Sequence, residues 1–196
     1  MTEIVFERTD ERLGEFAVRP VSADEDTQLL HGWLTHPKSA FWLMLDAEPA
    51  DVRRQFRTIE ATPGNDAFVG LHNGIPAFLI ERYDPARSEL AELYPVRPGD
   101  VGMHFLAAPT GMPVHGFTRA VLTTVMDMLF TDPATERVVV EPDVNNTSVH
   151  ALNAEVGFGV VDTVSLPEKR ALLSICTRAD YLASRTAGST EGEVSR

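Results

Sequence analysis

The chain has 196 residues, 43% of them hydrophobic, which suits one domain with a substantial core and is cramped for two. A formal net charge of −12 argues against nucleic acid and anionic membranes as partners, since both reward basic surfaces, and is compatible with a cationic small molecule such as an amine. With no basic apolar leader, no run near the roughly 20 apolar residues of a membrane span and one cysteine, the expectation is a cytoplasmic protein, monomer or homodimer, without disulfides.

Residues 1–14 are charged and read as irregular, and residues 182–196 are small and polar and read as a disordered tail, which leaves 15–181 for the folded domain. Phe16–Val21 predicts a first strand. Ser22 with Glu25 forms a capping box for a helix whose Leu29, Leu30, Trp33 and Leu34 share one face, and His36-Pro37 ends it. A second helix opens at Pro49 with Val52, Phe56 and Ile59 inward. Ala67–His72 and Ile75–Tyr83 are strands joined by Asn73-Gly74, a strong hairpin signal. Beyond a proline-rich connection come a strand at Asp100–Ala107, a helix at Phe117–Phe130 and a strand at Arg137–Glu141. A helix at Asn146–Glu155, stopped by Gly157, then precedes strands at Phe158–Leu166 and Arg170–Thr177. The order β-α-α-β-β-β-α-β-α-β-β predicts an α/β domain with a mixed central sheet flanked by helices.

Two charge-bearing positions interrupt apolar strands: His104 in Gly99-Asp-Val-Gly-Met-His104, and the acidic end of Val138-Val-Val-Glu-Pro-Asp143. Buried strands rarely carry such groups without a partner or a task. Alternation places Gly102, His104 and Leu106 on one face, and Asp143 closes the neighbouring strand at its carboxyl end, where ligands of open α/β sheets bind. A histidine backed by a carboxylate can accept a proton from a nucleophile. The competing reading is a hydrogen-bonded core histidine. Cys176, within an apolar run, reads as a small buried hydrophobe. His31 and His36 are five residues apart, a poor metal pair, and no metal is predicted.

The element order is that of the acetyl-coenzyme-A-dependent N-acyltransferase (GNAT) superfamily, and several motifs sharpen it. His36-Pro37, Phe41-Trp42-Leu-Met44, Gly99–His104, His115-Gly-Phe-Thr118, Val140–Asp143 with Asn146, Gly157-Phe158 and Leu166-Pro-Glu-Lys169 resemble the siderophore-biosynthesis branch. That branch acylates hydroxylamines to hydroxamates, and the resemblance covers nearly all of residues 15–180. Pro113–Val121 and Asp132-Pro-Ala-Thr135 look most like the desferrioxamine type, whose substrate is N-hydroxycadaverine. The aerobactin and mycobactin types act on N6-hydroxylysine or N5-hydroxyornithine, and a non-catalytic acyl-coenzyme-A-binding regulator is a third reading.

The resemblance implies acetyl- or succinyl-coenzyme A as co-substrate, His104 as general base and Asp143 as its support. It places the coenzyme against backbone near Leu106 and Ala107, the loop-to-helix segment His115, Gly116, Phe117 and Thr118, and Asn146. A loop feeding a helix N-terminus suits pyrophosphate. Asn146 is also the simplest cap for the fourth helix. Trp33, Phe41, Trp42 and Met44 either line a channel for diamine or acyl chain or belong to the core. Lys169 neutralises a phosphate or a substrate carboxylate, or is a surface charge; either Lys169 or Arg82 would serve the carboxylate of a hydroxylated amino acid. Two departures stand out. The pyrophosphate loop keeps only Gly116 of the superfamily's glycine pattern, and Asn153 occupies the position of the tyrosine that often protonates the departing thiolate.

Overall fold

The computed structural model describes residues 3–190, with side chains as far as Thr186. The strands are β1 (Phe6–Asp10), β2 (Gly14–Pro20), β3 (Asp66–His72), β4 (Ile75–Tyr83), β5 (Asp100–Ala107), β6 (Arg137–Val140), β7 (Gly159–Ser165) and β8 (Arg170–Thr177). The α-helices are α1 (Thr27–Leu34), α2 (Pro49–Ala61), α3 (Phe117–Leu129), α4 (Thr147–Glu155) and α5 (Arg178–Thr190). This is the mixed α/β sheet with flanking helices that the element order predicts. The described residues form two compact units, one of residues 3–83 and 104–125, the other of residues 84–103 and 126–190, so that β5 and α3 each contribute to both.

In the first unit the strands run β1-β2-β3-β4-β5, with antiparallel pairing from β1 through β4. Asn73 (φ 49°) and Gly74 (φ 80°) both lie in the left-handed region, so the β3–β4 link is the tight hairpin predicted for this dipeptide. Leu30 and Leu34 of α1, Val52 and Phe56 of α2, Val69, Leu79 and Leu106 form one buried cluster over one face of these strands. Full burial of each such side chain contributes about 1.5–3 kcal/mol, so the 3.6-residue and 2-residue apolar periods meet in this core.

Two expectations change here. Residues 1–14 are not all irregular, because Phe6–Asp10 pairs with β2. Arg8 secures that edge, donating to Asp10 (3.1 Å) and to Thr124 Oγ1 on α3 (3.2 Å), a long-range anchor invisible to local pattern. The first helix starts at Thr27, not directly after Ser22. Ser22 Oγ accepts from Glu25 N–H (3.3 Å), but the acceptor for Ser22 N–H is the Asp26 carboxylate (2.8 Å), which also takes two hydrogen bonds from Arg19. Burial pushes the Asp26 carboxyl upward, but Arg19 and the Ser22 N–H outweigh it and hold it below the usual carboxylate range.

In the second unit β5 pairs parallel with β6 from Asp100 to Gly102, and β8 lies antiparallel between β6 and β7. Asp100 is buried and ligated by Arg137 (2.6 Å to each oxygen), Arg97 N–H (2.9 Å) and the Tyr94 hydroxyl (3.0 Å). The tail expectation for 182–196 also changes. α5 continues to Thr190, and residues 191–196 of this tail lie outside the described residues. Tyr181 is the reason: it is buried, stacks on Phe130 at 5.5 Å and donates to Asp127 (2.7 Å), so the helix docks where composition suggested disorder.

Candidate active site

β4 and β5 position the central group. His104 lies on the face of β5 that carries Leu106 into the core, and Glu81 lies on the face of β4 that carries Leu79 into the same core. The imidazole Nδ1 is 3.4 Å from Glu81 Oε2. An ionised carboxylate only accepts, so Nδ1 carries the proton in this contact. The Glu81 side chain is 13% exposed and that of His104 39%, and Glu81 Oε1 is buried without a hydrogen-bond partner. The Tyr83 ring (5.2 Å) and the edge-on Trp42 ring (6.1 Å) flank the imidazole.

Sequence reasoning missed Glu81. Strand parity from Leu79 carried the signal, because an acid two residues along from a core leucine faces inward. The carboxylate on His104 Nδ1 is thus Glu81, in the place the sequence reading gave to Asp143. Asp143 forms a bridge with Ala171, and its Oδ1 accepts from the backbone and side-chain nitrogens of Asn145 (2.8 and 2.9 Å). Its carbonyl accepts from Asn146 N–H (2.9 Å) and contacts His150 Nε2 (2.9 Å). It therefore builds the turn into α4. Asn146 stands at the N-cap of α4, but its side chain makes no capping hydrogen bond, so the capping expectation fails; the Asp143–Asn145 turn organises this entry.

The segment from Thr110 to Gly116 is exposed and leads into α3. Gly116 has φ +81° with open space where a Cβ would stand, so the backbone alone forms the surface there. His115 and Thr118 are exposed; the Phe117 ring instead packs on His72 (5.1 Å) and Phe16 (6.0 Å), which anchors the helix start. An open loop at the head of a 13-residue helix fits a phosphate group. Lys38 Nζ donates to Thr110 O (2.8 Å), tying the segment that bears Phe41 and Trp42 to this loop. Leu106 places its side chain in the core, and Ala107 is half-buried, so only backbone is offered to a ligand by Leu106.

Trp33, Trp42 and Met44 pack partly buried against the core cluster, and Phe41 is 46% exposed. Lys169 is not a surface charge: its Nζ lies 3.6 Å from buried Glu141, with the lysine side chain 14% exposed. Arg82 is likewise engaged, its Nε donating to Asp66 (3.0 Å). Cys176 is fully buried and its thiol is pushed up to about 12, by burial first and Asp180 second, which leaves no thiolate at neutral pH. Asn153 is buried in α4. Among the described residues, no group of three or more His, Cys, Asp or Glu is arranged to hold a metal ion, and no helix is long and apolar enough to cross a membrane.

This strand–helix order is matched by the acetyltransferase (GNAT) domain model over residues 22–166, and the chain belongs to that family of acyl-coenzyme-A N-acyltransferases. Among individual proteins, it is 25% identical to the N-hydroxyputrescine acetyltransferase of Acinetobacter baumannii over 85% of this chain and 79% of that one. It is 24% identical to the N(6)-hydroxylysine O-acetyltransferase of Escherichia coli over 90% of this chain, spanning 57% of that protein. An uncharacterized protein from Bacillus halodurans superposes with a TM-score of 0.86 at 27% identity, over 92% of this chain and 94% of that one.

Proposed function

We propose that this protein acylates the hydroxylamine nitrogen of N-hydroxycadaverine, forming a hydroxamate during siderophore assembly in the cytoplasm. The observation that carries this reading is a part-exposed imidazole, His104, held at Nδ1 by an inward carboxylate. Acetyl- or succinyl-coenzyme A supplies the activated carbonyl. The loop from Thr110 to Gly116 and the first turn of α3 hold its phosphates through backbone N–H groups.

The hydroxylamine nitrogen bonds to the carbonyl carbon as the carbonyl electron pair moves to oxygen, where backbone N–H groups near Leu106 and Ala107 stabilise the charge. His104 accepts the N–H proton through Nε2. Collapse breaks the carbon–sulfur bond with its electron pair on sulfur, the thiolate takes one proton from solvent, and His104 returns the proton it received to solvent. Transfer is direct, because Cys176, the one thiol, is buried and protonated.

A diamine substrate is favoured by the state of the two cations that would greet a substrate carboxylate. Lys169 is paired with Glu141 and Arg82 with Asp66. The Acinetobacter relative is named for a hydroxylated diamine, which points the same way. The second reading, N-acylation of N6-hydroxylysine, takes only its substrate from the Escherichia coli relative, which is named for O-acetylation of that compound.

The test is thiol release from acetyl- and succinyl-coenzyme A with N-hydroxycadaverine, N-hydroxyputrescine, N6-hydroxylysine and cadaverine, with products confirmed by mass. Turnover of N-hydroxycadaverine above the others, lost by roughly 10²–10⁴-fold in His104→Ala with coenzyme binding retained, is the expected result. Preference for N6-hydroxylysine moves the substrate; undiminished turnover in His104→Ala removes the base.

A further inference from the structure

Glu81 has one carboxylate oxygen 3.4 Å from His104 Nδ1 and the other buried with no hydrogen-bond partner. A buried acceptor left unmatched carries a desolvation cost, which is recovered if a positive charge develops beside it. Burial also strengthens that interaction, because the residues sharing this face, Leu79, Leu106 and the Cα-paired Ala67, are apolar. The adjacent Arg82 is turned to Asp66. Titratable neighbours of the imidazole include the Tyr83 phenol, with its ring 5.2 Å away.

Resting on the reading of His104 as base, we propose that Glu81 is its positioning residue. It fixes the neutral imidazole with the proton on Nδ1, which leaves the lone pair on Nε2, and it stabilises the imidazolium that forms when the hydroxylamine proton arrives. The 3.4 Å separation belongs to the resting state; such contacts tighten when the ring is charged. Replacing Glu81 by glutamine reverses the effect at both stages. The amide N–H₂ can donate to Nδ1 and force the proton to Nε2, and it offers no charge to the imidazolium.

The experiment is the pH dependence of kcat/KM for the hydroxylamine from about pH 5 to 9, at saturating acetyl-coenzyme A, for wild type, Glu81→Gln, His104→Ala, Asp143→Asn and Tyr83→Phe. A carboxylate beside a histidine favours its charged form, so removing it lets the ring lose its proton at lower pH. Glu81→Gln is expected to move the acid limb to lower pH and to lower the plateau by roughly 10–100-fold, with coenzyme affinity unchanged. The double variant Glu81→Gln/His104→Ala should be no worse than His104→Ala alone. A Glu81→Gln profile that keeps the wild-type limb and plateau overturns the proposal while leaving the base reading intact. A His104→Ala enzyme with full activity ends both. A limb that moves only in Asp143→Asn or Tyr83→Phe assigns the role to that residue instead. Should Glu81→Gln fail to fold, long-range proton–nitrogen NMR of His104 in the wild type decides. An Nδ1-protonated neutral ring agrees with the proposal, and an Nε2-protonated one overturns it.

Discussion

Asp100 is the most heavily ligated carboxylate described above, and its neighbours decide its ionisation. Burial alone pushes its carboxyl up, but the Arg137 hydrogen bonds, the Arg97 N–H and the Tyr94 hydroxyl together hold it below the usual carboxylate range. Because the folded value is depressed, the stabilisation is present above the unfolded value near 3.8 and is lost as pH falls through the folded one. Asp100→Asn leaves Arg137 without its charge partner, so an unfolding free energy about 3–5 kcal/mol lower at pH 7 is expected. The difference from wild type should close below about pH 4, as thermal or urea melts across pH would record. Single residues were unevenly legible in the sequence. His104 announced itself as an interruption in an apolar strand, and Glu81 was readable by parity from Leu79. Asp66 faces Arg82 across the predicted β3–β4 hairpin, but the partner of Lys169 was hidden, because Glu141 lies 28 residues away along the chain. Local pattern holds no information about such pairings.

Elements whose apolar period matched their fold came out in their predicted places: α2 from Pro49, the Asn73-Gly74 hairpin, and β5 and β8. β1 and α5, at the two ends of the chain, did not. Both are polar by composition and are held by a few long-range side-chain contacts, Arg8 to Thr124 in one case and Tyr181 to Phe130 and Asp127 in the other. Propensity weighs every residue alike, whereas docking depends on one buried ring. Tyr181→Ala should therefore cost about 3–5 kcal/mol in urea unfolding, as large-to-small core changes do. Tyr181→Phe should cost about 1.5–3 kcal/mol, the net worth of the hydroxyl's hydrogen bond to the charged Asp127. Equal, negligible losses for both would mean that α5 is not docked through this ring.

At the scale of the whole molecule, charge and chain path matter most. A net charge of −12 attracts a substrate carrying a free ammonium and repels one with a carboxylate. Raising salt from about 0.01 M to 0.15 M shortens the screening length from about 30 Å to about 8 Å. For the proposed hydroxydiamine, KM should rise with salt while kcat holds, as initial rates at several ionic strengths would show. For an uncharged hydroxylamine such as N-methylhydroxylamine, no such dependence is expected. The chain path has a different consequence. The polypeptide crosses between its two units after Tyr83, Met103 and Val125, and the last two crossings fall inside β5 and α3. Homologous recombination that exchanged one unit for a relative's would need three junctions, two of them cutting through regular secondary structure. Substrate range in such a scaffold cannot be traded as a contiguous block. It has to drift by point substitution.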